Sequence, residues 1–260
     1  MIQIAHLETE ITAACQLSCV SCNHLVPLWR KAGPRSTTTE GVERDLTHLA
    51  TILHTEKWAT MGGEPTLHHK LVDILKVVRG TGIADVLEVW TNGLTIRKQT
   101  SAFWKAFDHL IVSIYPGKLT EDDVDWIKNK CADEGVVYSP RDERKSPNFR
   151  TLLEPRPTDP AVTIDKFARC FFRQFSRNAS YGYFFTCCCG PHIPLLIQGR
   201  SYGTDGVLIE GLTETALGAY LHRTEPLGAC TVCAGRETAK PHPWGEERDP
   251  VKWAERSKGL

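Results

Sequence analysis

Three cysteines, Cys15, Cys19 and Cys22, lie on one short stretch directly after an alternating apolar segment at the N-terminus. Three thiols held together by a loop constrain the chain more than any other feature here. A structural zinc site normally closes its tetrahedron with four ligands. Three thiolates suit a [4Fe–4S] cluster that keeps one iron open for another ligand. Of the remaining seven cysteines, Cys131 stands alone and six fall in the last third, at 170, 187, 188, 189, 230 and 233.

Composition narrows the context. The 260 residues predict one large domain, or one large and one small. Hydrophobic residues at 41% and charged residues at 24% exclude a disordered or collagen-like chain. Lys+Arg and Asp+Glu are both 31, so non-specific nucleic-acid binding is not expected. No apolar run approaches the roughly 18 residues of a membrane span, and Met1-Ile2-Gln3-Ile4 opens a strand rather than a basic signal region. A cytoplasmic protein with no membrane association is therefore expected, its cysteines serving as ligands or catalytic thiols rather than disulfides.

Periodicity predicts a strand over 2–13, with Glu8 and Glu10 on a face that turns polar toward a cavity mouth. A loop over 14–36 holds the first cysteines. A capping box at Thr37–Glu40 predicts a helix running to Leu53. Then follow a strand at 57–61, a helix over 67–78 stopping at Gly80, and a strand at 84–91. A helix over 95–107, a strand at 109–115, a helix over 120–132 and a short strand at 136–138 complete the first part. Alternating strands and helices predict an α/β parallel sheet, open or curled into a partial barrel. Cys131, at helical spacing with Val124 and Ile127, reads as a small buried residue. The Pro-rich stretch 154–160 marks a domain boundary, giving 1–153, 154–240 and a tail at 241–260 that is loose or wrapped over the surface. Beyond it, a strand over 180–186, a turn at Asp205-Gly206, a strand at 207–209 and a helix over 213–222 predict a small α+β unit.

With these elements placed, the Cys15-x3-Cys19-x2-Cys22 loop resembles that of the radical S-adenosylmethionine (SAM) enzymes. Three further segments agree in order: Met61-Gly62-Gly63-Glu64-Pro65, Trp90-Thr91-Asn92-Gly93 and Val112-Ser113-Ile114-Tyr115. The resemblance covers roughly residues 2–140. It implies a partial (β/α)6 barrel and SAM on the open iron, with Gly62, Gly63, Glu64 and Pro65 meeting its amino group. Thr91 and Asn92 then lie beside the nucleoside, and Ser113 reaches the bound SAM. One position departs from the family: the residue before the third cysteine, usually aromatic, is Ser21, so the adenine must be held otherwise, by His24 or Trp29.

The later cysteines resemble the auxiliary-cluster (twitch) appendage of some members of that family. The resemblance implies a second [4Fe–4S] cluster on Cys170, Cys187, Cys230 and Cys233. Cys187 matches best because Gly182 stands five residues before it, and Cys188 is the alternative. If the extended run continued, Cys187 and Cys189 would share a face and Cys188 would lie opposite. Cys188 and Cys189 are then buried hydrophobes, or donors of hydrogen to a substrate radical. Glu8 and Glu10 are candidates to accept hydrogen bonds from a polar substrate, with simple solvation equally weighted. The basic region 141–156 reads as a solvated loop or as a gate to the cavity.

The resemblance implies formation of a 5′-deoxyadenosyl radical and hydrogen abstraction from a small polar substrate, a sugar, aminocyclitol or nucleoside-like molecule. A closed second cluster suits electron transfer and hence a two-electron oxidation, as in the family's aminocyclitol alcohol dehydrogenases, with flavodoxin or ferredoxin as electron donor. The alternatives are an epimerase or peptide-modifying maturase using a spare cysteine, and a zinc-stabilised binding module with no enzymatic activity.

Overall fold

The second half of β1 (Ile2–Thr12) is buried on both faces, Glu8 and Glu10 as fully as Leu7 and Ile11. Such a strand belongs inside a parallel sheet covered on both sides. The computed structural model describes residues 1–33, 35–145, 149–235 and 238–259. After β1 the elements run α1 (Val26–Ala32), α2 (Thr39–Ala50), β2 (Leu53–Gly62), α3 (Leu71–Thr81), β3 (Ala84–Thr91), α4 (Ser101–Trp104), β4 (His109–Ile114), α5 (Glu121–Glu134) and β5 (Val137–Asp142). Then come α6 (Pro160–Arg169), α7 (Phe171–Phe175), β6 (Arg177–Ser180), β7 (Tyr183–Phe185), α8 (Ile193–Leu196), β8 (Val207–Leu208), α9 (Glu214–Leu221) and α10 (Pro250–Ser257).

The strands form one sheet in the order β5-β4-β3-β2-β1-β6-β7-β8. The six from β5 to β6 are parallel, and β7 and β8 are antiparallel additions. This is the expected partial (β/α)6 barrel, with one difference. Its sixth parallel strand, β6, comes from beyond the Pro-rich stretch and pairs with β1 instead of following β5. On one face of the sheet Glu88 on β3 lies 2.9 Å from His109, its direct neighbour on β4, and 3.4 Å from His6 on β1, two strands away.

The main core lies between the sheet and α2, α3 and α5, built from Leu7, Ile11, Leu46, Trp58, Ile74, Leu87 and Phe103. Cys131 is fully buried there. A second apolar cluster joins Leu25, Leu152, Leu153, Ile193 and Trp253 with Cys188 and Cys189.

Several elements differ from the sequence expectation for identifiable reasons. Thr38, not Thr37, caps α2, accepting from Gly41 N at 3.0 Å, so Glu40 falls one position short of completing the box. Helix α3 passes through Gly80 and ends at Gly82, which takes the left-handed conformation (φ 66°) that terminates a helix. The expected helix over 95–107 is reduced to a 3-10 turn at Ile96–Lys98 and α4, because Gln99 and Thr100 are extended. The expected strand over 180–186 is a hairpin: Tyr181 (φ 58°) and Gly182 (φ 82°) make the two-residue turn between β6 and β7. The extended run stops at Phe185, and Cys187–Gly190 close a turn through Gly190 N and Cys187 O at 3.2 Å. Alternation therefore does not sort the three consecutive cysteines.

Candidate active site

In a parallel sheet the loops that follow the strands gather at the carboxyl edge, which is where ligands bind. Here five such loops line a single cavity of about 390 Å³. After β1 come Cys15, Cys19 and Cys22; after β2, Gly62, Gly63, Glu64 and Pro65. Thr91 and Asn92 end β3, Ser113 and Tyr115 end β4, and Arg141 and Glu143 end β5. Thus the motifs read from four separate segments of the sequence converge on one cavity. Cys233 lies on the same cavity, with Phe171 and Phe172 beside it.

The glycines act partly through the chain itself. A Cβ on Gly62 would lie 2.2 Å from Thr12 O, and one on Gly63 2.2 Å from Ala14 O. Gly63 N donates to Thr12 O and Glu64 N to Ala14 O, at 2.6 and 2.8 Å. The close approach thus locks the end of β2 against the residues leading into Cys15. Glu64 is buried and accepts from Thr66 N, Thr66 Oγ1, Thr91 Oγ1 and Asn92 N, at 2.6 to 3.1 Å. It ties the end of β2 to the end of β3.

The first three sulfurs meet donors. Leu17 N lies 3.4 Å from Cys15 Sγ, and Asn92 Nδ2 3.8 Å from it. Trp244 Nε1 lies 3.2 Å from Cys19 Sγ. Backbone N–H groups of Val26 and His24 face Cys22. Burial pushes the Cys15 thiol up to about 12 and raises Cys19 and Cys22 as well. Donors aimed at sulfurs stabilise thiolate, while burial demands that its charge be matched by a cation. This donor set fits an iron–sulfur cluster, in which three cysteines would leave one iron open to a further ligand.

In the second group, burial raises Cys187, and Cys188, Cys230, Cys170 and Cys233 around it raise it further. Cys187 thus feels all three of the other expected ligands, whereas Cys189 is hydrogen-bonded to one of them, Cys233. Cys188 and Cys189 lie in the second apolar cluster, their sulfurs 4.0 Å apart. Cys188 also feels the charges of Glu8, Glu10 and Cys233. A hydrogen bond from Cys189 holds Cys233 below the usual thiol range.

Glu8 and Glu10 are buried behind the cavity wall, not on it. Sequence reasoning missed what surrounds Glu10. Its carboxylate pairs with His24 Nδ1 and lies 3.2 Å from His192 Nε2. Burial would raise its pKa, but His24 and His192 hold it down at about 2. These three donor atoms lie within 4.8 Å of one another, a cation-like arrangement. However, Trp29 Nε1 donates to His192 Nδ1 at 3.2 Å, so neutral His192 carries its proton on Nε2, toward Glu10. His192 Nε2 makes no hydrogen bond of good geometry, so its approach to Glu10 is a close contact within this buried group. His24 is on the cavity wall and Trp29 is not, which leaves His24 as the nearer of the two to a nucleoside. No spacing rule links residues 10, 24 and 192.

Glu8 differs from Glu10. Burial raises its pKa to about 7, only partly opposed by His6 at 3.6 Å, and its Oε2 has no partner. A carboxyl raised from 4.5 in the unfolded chain contributes stability fully below about pH 4.5, and this is lost as pH rises through about 7. Glu8→Gln is expected to be nearly neutral at pH 5 and to stabilise by about 3 kcal/mol at pH 8. Urea unfolding at both pH values reads this directly; equal effects at the two would show that Glu8 is already neutral or already paired.

The parallel sheet and the motif-bearing loops at its carboxyl edge agree with the fold that the sequence resemblance to radical SAM enzymes implies. No protein-family model matches it. Among solved structures, the fold is similar to that of BtrN in complex with AdoMet and 2-DOIA, at 14% identity, TM-score 0.50, over 88% of this chain and 84% of that one. SuiB of Streptococcus suis bound to precursor peptide SuiA is less similar, at 10% identity and TM-score 0.46, over 86% and 68%. In sequence, a GTP 3′,8-cyclase of Photorhabdus laumondii is 32% identical over 100 residues, 38% of this chain and 30% of that relative's length. Among the described residues no helix is long and apolar enough to cross a membrane.

Proposed function

We propose that this chain binds SAM at a [4Fe–4S] cluster held by Cys15, Cys19 and Cys22, and oxidises a small polar alcohol by two electrons. The second cluster of the proposal is held by Cys170, Cys187, Cys230 and Cys233. The observation that carries the reading is the single cavity lined by the first three cysteines, the Gly62–Pro65 segment, Thr91, Asn92 and Ser113, with Cys233 of the second group on its wall. When bound, these groups supply a 5′-deoxyadenosyl radical and an acceptor for one electron. The substrate alcohol then loses one C–H hydrogen atom, its hydroxyl proton and one electron, leaving a ketone.

The chain's own residues supply positioning and exclusion of water. Arg141, Glu143, Arg150, Thr151 and Asn92 give the cavity a polar wall suited to hydroxyl or amine groups. Tyr115, Phe149, Phe172 and Leu152 give it an apolar one. The likeness to BtrN, a structure containing AdoMet and 2-DOIA, supports a small-molecule substrate over a peptide. Thiols that must stay reduced suit the cytoplasm, with a flavodoxin or ferredoxin as electron donor.

The test is the product made in heavy water from a panel of sugars and aminocyclitols. Oxidation gives a product two hydrogens lighter with no deuterium at carbon. The second reading, epimerisation, rests on Cys188 and Cys189, two buried thiols outside the proposed ligand set. It gives an unchanged formula with one carbon-bound deuteron, lost on Cys188→Ala or Cys189→Ala. Colourless protein holding stoichiometric zinc, with no 5′-deoxyadenosine, would overturn both in favour of a binding module.

A further inference from the structure

The C-terminal stretch 241–257 is built into the first cysteine loop. Val20 N donates to Gly245 O and Glu247 N to Ser18 O, at 2.8 and 2.9 Å, and Cys19 bridges to Glu246 in antiparallel fashion. Ser18 N reaches Glu246 Oε1 at 3.0 Å, and Ser21 N reaches Ser257 Oγ at 3.0 Å. His242 Nε2 lies 2.9 Å from Ser21 Oγ. Two tryptophans of this stretch converge on one residue. Trp253 Nε1 donates to Cys19 O at 2.8 Å, and Trp244 Nε1 to Cys19 Sγ at 3.2 Å.

Trp244 is itself held from two sides. Its ring stacks on Tyr115 at 5.2 Å and 13°, and Lys118 Nζ sits 5.4 Å from its centre. Lys118 is anchored in turn by Glu246. The indole therefore has little freedom to turn its N–H elsewhere. Indole is a donor only, so this group has no alternative role as acceptor.

We propose that Trp244 is a positioning residue that sets the reduction potential of the group bound by Cys15, Cys19 and Cys22, through its N–H···S hydrogen bond to Cys19. The inference rests on the cluster reading above. A donor to a ligating thiolate withdraws charge from the sulfur and favours the reduced form, so it raises the potential. Trp253 and the backbone ladder hold the loop in shape, while Trp244 acts on the sulfur itself.

Two variants separate these roles. Trp244→Phe keeps a ring to stack on Tyr115 and removes only the donor. Trp253→Phe removes a donor to the carbonyl and leaves the sulfur contact. Each is reconstituted anaerobically with iron and sulfide, and titrated electrochemically by electron paramagnetic resonance, following the reduced signal that changes on adding SAM. Trp244→Phe is expected to hold wild-type iron and to show a more negative midpoint, with slower 5′-deoxyadenosine formation at a fixed dithionite concentration. Trp253→Phe is expected to leave the midpoint in place. An unchanged midpoint in Trp244→Phe at full iron content, or an equal shift in both variants, overturns the inference while leaving the cluster reading intact. Wild-type protein that takes up no iron overturns the cluster reading instead.

Discussion

Protein carrying Cys15→Ala, Cys19→Ala and Cys22→Ala is expected to lose about half its iron and all of its 5′-deoxyadenosine formation. Two [4Fe–4S] groups imply about eight irons per wild-type chain and about four in the triple variant. Selectivity follows from the placement of the thiols. The first three lie on the loop after β1, facing Gly62–Pro65 and Asn92, whereas Cys187 feels Cys170, Cys230 and Cys233. Cys19→Ala alone is expected to abolish cleavage of SAM, because two remaining thiolates cannot hold three irons while leaving the fourth open. Iron and sulfide analysis with chromatography of the quenched reaction checks both statements. Full iron content in the triple variant would show that the N-terminal thiols hold no cluster. Retained cleavage in Cys19→Ala would remove Cys19 from the site.

Much of the strand frame was legible because parallel strands carry a strong local pattern. β1, β3 and β4 fall within a residue or two of their expected bounds, and the motifs at their ends identify the carboxyl edge. What was not legible depends on contacts between distant residues. Tyr181 in the left-handed region looks like one more strand residue, and only pairing with β1 and β7 fixes the turn. Gly80 reads as a helix stop, yet nothing in one sequence says that Gly82 fits that role better. The sequence marks Glu8 and Glu10 as an acidic pair on one strand face but weighs cavity and solvent equally, and the structure buries both behind the cavity wall. Their opposite pKa shifts were not legible, since burial raises Glu8 while His24 and His192, the latter 182 residues away in the chain, hold Glu10 down. The tail gave no sign that Trp244 and Trp253 would both reach Cys19, because hydrogen bonds of that kind have no periodicity.

Glu64→Ala is expected to destabilise the protein by about 3–5 kcal/mol, comparable to breaking a buried charged network. The residue is almost wholly inaccessible, and its two oxygens accept from two backbone N–H groups and two hydroxyls. The hydroxyls of Thr66 and Thr91 can turn to other acceptors, and Thr95 Oγ1 already lies 2.5 Å from Thr66 Oγ1. The N–H groups of Thr66 and Asn92 cannot turn. Each would be left buried and unpaired at a cost of about 1–3 kcal/mol. Because Asn92 is held by this carboxylate and its own side chain reaches toward Cys15 and Gln16, the damage extends to the cofactor wall. Glu64→Gln keeps an acceptor for one N–H but turns an amide donor toward other donors, so its loss is expected to lie between wild type and Glu64→Ala. Chemical denaturation of the three proteins, paired with SAM titration, separates the two roles the carboxylate can play. Lost stability accompanied by weaker SAM binding supports a tie between β2 and β3 that shapes the wall. Undiminished stability with SAM binding abolished would make Glu64 a direct contact for the ligand and overturn the reading of it as a strand tie.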